Sequence, residues 1–399
     1  MTSYYLQFLP VLAAALIFLV IGAVCFAGSQ RAFEHSRKNL SWIKRHGAGG
    51  YPFARNAFPN RSADWLGVFG AAVFSLVVSM VYYALRSLAD GANWLSGLFS
   101  AWSLISVVVN VAGVVALYFL LQRLFGSTLI SASGSLLFAA SFVGAHTAAS
   151  LLAIALLMLV LWLNARQERL FPAELLYYAA LLFLAAAISL RAQLLPFVLL
   201  FAGLHLYKHI FYLREDMETP GMFALAIGLG ILCWLLGVCA FIFCRVLLYY
   251  GFTFGFLQDY VFPDFVGAAG KLLRSALHSL TAPLTRGRVL LPMLDAPLLG
   301  LGGFGLISAL LLWLRRRDPR AVLVLMTAFF AVLVWLLSDC SVLSLAFSLS
   351  AGLLFSNYER GGKRAPVICV SILGILYYLV LIVLVFFIPL AGGIVSRLS

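Results

Sequence analysis

Charge is scarce in this chain, and acidic charge scarcer still. Of 399 residues only 10% are charged, with 14 Asp or Glu against 27 Lys or Arg. No long apolar run carries an acid at its middle, which argues against proton transfer along a relay of intramembrane carboxylates. No HExxH or DxD spacing occurs, so no motif asks for a metal, and the need for any cofactor, a divalent metal included, is left open. Cysteine is equally sparse. The six at positions 25, 233, 239, 244, 340 and 369 sit in or at the ends of apolar runs without CxxC or Cys/His spacing, and read as small core residues. "GAGGYP", residues 47–52, has neither Walker nor dinucleotide spacing. The net charge of +13 comes with no basic stripe of interleaved stacking aromatics, so nucleic acid is not an expected partner.

What the chain has in place of charge is apolar surface, 64% of its residues, more than one water-soluble core can hide. Apolar stretches of roughly spanning length, about 17–25 residues, occur at 5–27, 65–87, 101–122, 129–146, 148–164, 173–190, 193–208, 221–249, 289–314, 321–338, 340–356 and 367–393. The runs are continuous and do not alternate every second residue, so helices, not barrel strands, are expected. The fold class is an all-α polytopic membrane protein with about twelve transmembrane helices.

Basic residues orient such a chain, because cytoplasmic loops carry the excess of Lys and Arg. With loop 28–64 cytoplasmic, alternation places 123–128, 165–172, 209–220, 315–320 and 357–366 on the same side, and these segments with Lys208 hold nineteen of the 27 basic residues. "RRRDPR" at 315–320 and "NYERGGKRAP" at 357–366 fall there without adjustment. A multi-pass protein of the cell membrane with both termini outside is the expectation. "MTSYYLQFLP" lacks a positive n-region, so the first segment reads as a retained reverse anchor. Four regions follow: an anchor helix and basic loop (1–64), a main transmembrane module (65–249), an outer loop (250–288) and C-terminal transmembrane helices (289–399).

Candidate residues lie mostly outside. Arg191, in "LAAAISLRAQLLPFVLLFAGL", is placed by the alternation at the outer apex of a tight hairpin. In the outer loop, Lys271, Arg274 and His278 recur at i, i+3 and i+7, which gives a helix along the membrane surface a single basic face. Asp90, in "LRSLADGANW", follows the second span as either an Asp-Gly turn paired with Arg86 or a general base. His146, in "FVGAHTAAS", is a second candidate at an outer turn. Of the remaining acids, Glu174 falls in the cytoplasmic set and Asp295 in the external set.

Three stretches carry a family resemblance: "SADWLGVFGAAVFSLVVSMVYYALRSL", "SVVVNVAGVVALYFLLQRLFGSTLISASGSLLFAASFVGAHT" and "ARQERLFPAELLYYAALLFLAAAISLRAQLLPFVLLFAGLHLY". From Asp64 to about Lys208 the chain resembles bacterial integral-membrane glycosyltransferases of the C superfold, the polyprenyl-phosphate-sugar users related to protein O-mannosyltransferases. The resemblance implies a glycosyltransferase C-like bundle, a polyprenyl-phosphate-linked sugar as partner alongside the lipid bilayer, and a catalytic acid in the first outer loop. Only Asp90 fills that role, and it has no adjacent acidic partner. The cations available to stabilise a departing lipid phosphate are Arg191, Arg245, Lys271, Arg274, Arg286 and Arg288, with arginine the better bidentate partner. Two other classes stay open: a carrier or flippase for a lipid-linked glycan or other amphiphile, suited to the shortage of acids, and an inactive accessory subunit, suited to the missing second carboxylate. The sequence carries no sign of oligomeric state.

Overall fold

The computed structural model describes residues 2–36, 64–89, 95, 99–141, 147–164, 170–208, 220–250, 294–316, 318–336, 341–360 and 363–387. These hold twelve α-helices: α1 (Thr2–Ser36), α2 (Trp65–Ala89), α3 (Ala101–Phe125), α4 (Thr128–Ala140), α5 (Thr147–Asn164), α6 (Leu170–Leu190), α7 (Phe197–Tyr207), α8 (Pro220–Tyr250), α9 (Ala296–Arg316), α10 (Pro319–Leu336), α11 (Ser341–Arg360) and α12 (Ala365–Phe387). Each overlaps one apolar run of the sequence. Seven of them, α1, α2, α3, α5, α8, α9 and α12, are long and apolar enough to cross a membrane. Outside water, a helix is the form that satisfies every backbone N–H and C=O within its own segment.

Local chemistry sets where the helices stop. Ser100 caps α3 by accepting the Ser103 amide at 3.2 Å. At the other end Gly126, with φ of 69°, adopts the left-handed conformation that glycine tolerates, and its N–H returns to the Gln122 carbonyl at 2.8 Å. Ser127 then starts α4 by accepting the Ile130 amide at 3.3 Å. Two residues of "RLFGST" therefore reverse the chain. Between α6 and α7 the turn is similarly tight: the Arg191 N–H closes α6 on the Ala187 carbonyl, a 3-10 turn follows over Ala192–Leu194, and Pro196 precedes α7.

The least apolar helix is the innermost. α11, "SVLSLAFSLSAGLLFSNYER", is buried at every residue from 342 to 358 and packs against α9, α10, α1 and α4. Its small residues permit backbone approach. A Cβ at Gly302 of α9 would run into Phe347, and one at Gly305 into the Ser350 backbone, while Ser350 Oγ donates to the Gly302 carbonyl at 2.9 Å. On another face of α9, a Cβ at Gly300 would strike the Phe18 carbonyl, and Gly22 packs on Gly300 in return. The anchor helix α1 is therefore built into the bundle. Apolar residues face outward in its place: Leu16, Val20 and Val24 on α1, Leu66 and Phe69 on α2, Leu235 and Phe243 on α8, Ile372 and Leu376 on α12. Where lipid is the solvent, exterior hydrocarbon costs nothing, and helix association relies on close packing and interhelical hydrogen bonds.

Contacts between helix ends gather the basic segments. Arg320, held by both oxygens of Asp318, directs Nη1 to the Leu124 carbonyl at 3.5 Å and so joins 315–320 to 123–128. The Tyr358 hydroxyl lies against Gly28, and that of Tyr118 against Gly67. Lys208 donates to the Trp162 carbonyl at 2.6 Å. With the helices alternating in direction, nine of the twelve described Lys and Arg fall at this basic end, and Arg86, Arg191 and Arg245 at the opposite end.

Candidate functional site

Two of the sequence-predicted cations can be placed. Arg191 is exposed, immediately past the end of α6. Arg245 lies on the last turns of α8, which runs beside α6 in the same direction. Ser189 Oγ donates to the Phe241 carbonyl at 3.4 Å, so the side chain two residues before Arg191 meets the backbone one turn before Arg245. α2 runs towards the same end, where its last residue leads into Asp90. Asp90, His146, Lys271, Arg274, Arg286 and Arg288, with the surface helix expected over 250–288, lie outside the described residues.

Two acids that the sequence places near the ends of apolar runs are interior. Asp295 is 2% exposed, directly before α9. Ser344 Oγ, in the first turn of α11, donates to Asp295 Oδ2 at 2.5 Å, and the Tyr378 hydroxyl of α12 donates to Oδ1. The Leu298 amide, one of the unpaired donors at the start of α9, faces the same tyrosine oxygen. The neighbouring Tyr377 hydroxyl donates to the Leu294 carbonyl at 3.3 Å. No cation reaches this carboxylate among the described residues. Compensation comes from two hydroxyls and from the N-terminal ends of α9 and α11, where the helix dipole favours negative charge. With both oxygens occupied, Asp295 is arranged to hold three helices in register and not to take a substrate proton.

Glu174, at the basic end, is met differently. It is 5% exposed on α6, accepts the Trp162 indole N–H on Oε1 at 3.3 Å, and keeps Oε2 without a donor among the described residues. Lys208, also 5% exposed, stands 4.1 Å over the Trp162 ring and donates to that residue's carbonyl. One indole thus presents its N–H edge to the carboxylate and its electron-rich face to the ammonium. Tyr177 stacks on Trp162 at 4.5 Å between ring centres and meets His205 edge-on at 4.4 Å. From α8, Trp234 donates its indole N–H to His205 Nδ1 at 3.3 Å, and Cys233 Sγ approaches the Glu174 carbonyl at 3.7 Å. Four helices, α5, α6, α7 and α8, meet in this cluster.

Neither cluster was singled out from the sequence. Glu174 and Asp295 each stand near the end of an apolar run, where an acid reads as the edge of a loop. The available signal was the aromatic and hydroxyl company elsewhere in the chain, a Trp twelve residues before Glu174 and adjacent tyrosines midway along α12. Among the described residues no group of three or more His, Cys, Asp or Glu converges to hold a metal ion. The five described cysteines are free thiols. No protein-family model matches the chain, and no curated protein or solved structure matches it significantly.

Proposed function

We propose that this chain is a membrane glycosyltransferase that moves a sugar from a polyprenyl-phosphate donor to an acceptor on the outer face of the cell membrane. The observation that carries the reading is the meeting of α6 and α8 through Ser189 and Phe241, which brings the Arg191 and Arg245 segments together at the end opposite the basic segments. A departing polyprenyl phosphate gains negative charge as the sugar leaves, and fixed cations at the membrane edge stabilise that state more than the ground state. Arginine suits the task because its guanidinium can bind two phosphate oxygens at once. Asp90, one residue beyond the end of α2, takes the role of general base that deprotonates the acceptor hydroxyl. The backbone contacts of α11 with α9 and of α9 with α1 favour a rigid scaffold over two halves that rock about a central site, which weighs against the carrier reading.

Purified protein in nanodiscs, offered a polyprenyl-phosphate sugar and a hydroxyl acceptor, tests this. Asp90→Asn should abolish transfer in a protein that still inserts and folds, and Arg191→Gln with Arg245→Gln should raise the donor KM at least tenfold. Transfer that persists in Asp90→Asn removes the base, and an unchanged KM in the double variant removes the phosphate site.

A further inference from the structure

A neutral imidazole carries one hydrogen and one bare nitrogen, whereas an imidazolium carries hydrogen on both. Indole N–H only donates. The bond from Trp234 Nε1 to His205 Nδ1 at 3.3 Å therefore exists only while Nδ1 is bare, which puts the single hydrogen of neutral His205 on Nε2. A proton arriving at Nδ1 sets two donors against each other. Turning the ring over gives no relief, because it puts Cδ2–H where Nδ1 stood, and carbon accepts no hydrogen bond from Trp234.

The ring is also the less movable partner. His205 is buried, edge-on to Tyr177 at 4.4 Å and to Trp162 at 5.5 Å. Trp234 is half-buried on α8, a helix whose neighbours on either side, Ile231, Leu232, Leu235 and Leu236, are exposed. Relief of the conflict falls to the Trp234 side chain, because α8 itself stays packed on α6 through Gly237 and Leu181 and through Ser189 and Phe241.

We propose that His205 is a proton-operated latch for Trp234: the neutral imidazole holds the α8 indole against α7, and the imidazolium releases it. The groups that face His205 set its balance. Among the described residues, the charged groups of the same cluster are Glu174 on α6, with one oxygen unspent, and Lys208 one turn along α7. Tyr177 on α6 and Trp162 on α5 meet the ring edge-on and carry no charge. Imidazole titrates in the range of about pH 5 to 8, so release belongs to mildly acid conditions. The docking itself does not depend on the transferase reading.

Fluorine NMR on the full chain, labelled with 5-fluorotryptophan in nanodiscs, tests the latch. The Trp234 resonance is the one lost in Trp234→Phe. From pH 8 to pH 5 it should move by more than its linewidth along a single-proton curve, while the Trp162 resonance stays. His205→Gln, which keeps an acceptor oxygen and does not titrate, should hold Trp234 at its pH 8 position throughout. In the unsubstituted protein, the nitrogen-15 shift of His205 Nδ1 should lose its bare-nitrogen value over the same interval, a readout that needs no variant. A stationary Trp234 resonance overturns the proposal. So does a curve that survives His205→Gln.

Discussion

Two carboxylates enter the interior of this bundle, Glu174 at the basic end and Asp295 at the other, and each is handled with the residues its end supplies. Where Lys and Arg are plentiful, Lys208 is drawn inside and an indole mediates between it and Glu174. Where they are few, Arg191 stays exposed, and Asp295 is stabilised by hydroxyl donors and helix N-termini. The side that holds the positive charge thus also determines how a buried negative charge is met. One arrangement depends on a counter-ion, the other on dipoles, and the two should fail differently.

Removing the counter-ion should have the largest effect. Lys208→Met keeps the stem packed over Trp162 but leaves Glu174 as a buried charge facing only an indole N–H. Loss of one partner of a directly paired buried couple costs about 3–5 kcal/mol, the upper bound here because the two charges meet through Trp162. Equilibrium unfolding in bilayers should show that loss in Lys208→Met, and most of it should return when Glu174→Gln is added. A single variant within about 1 kcal/mol of the parent would mean that Glu174 does not rely on Lys208, and the contrast between the two ends would collapse.

Tyr378→Phe comes next. It removes the donor to Asp295 Oδ1 and the oxygen that faces the Leu298 amide, while the ring and its packing remain. A buried acceptor and a helix-terminal amide left unsatisfied cost about 1–3 kcal/mol. Because no cation is involved, the deficit should be insensitive to any change at Lys208. A non-additive double variant would show that the two clusters act as one.

Much of the architecture was legible because hydropathy reports continuous apolar runs well: every helix from Thr2 to Phe387 overlaps a run read from the sequence, and the "RLFG" turn falls at Gly126. The grouping of basic segments was legible too, and the Arg320 contact with Leu124 shows two of them side by side. The order of burial was not. Hydropathy ranks α11 low, yet α11 lies at the centre, since in a lipid-facing bundle serine and glycine mark the inside and hydrocarbon the outside. The buried acids were illegible for a different reason. Glu174 is explained by Trp162 and Lys208, and Asp295 by Ser344 and Tyr378, partners 49 and 83 residues away in the second case, and no local window contains them.

Ser344→Ala should produce the smallest of these effects, and its size is what separates a charge held by dipoles from one held by bonds. The Ser344 hydroxyl is one of two donors to Asp295 and makes no other hydrogen bond to a neighbouring helix among the described residues, so its loss empties a single acceptor position. If the ends of α9 and α11 carry most of the compensation, the carboxylate remains stabilised and the cost stays near 1 kcal/mol, the scale of one interhelical hydrogen bond in a membrane. If the two hydroxyls carry it, the remaining bond cannot hold the charge, and Ser344→Ala should approach Tyr378→Phe in cost. Measuring both variants in the same bilayer decides between these accounts, because the helix ends are unchanged in either and only the number of hydroxyl donors differs.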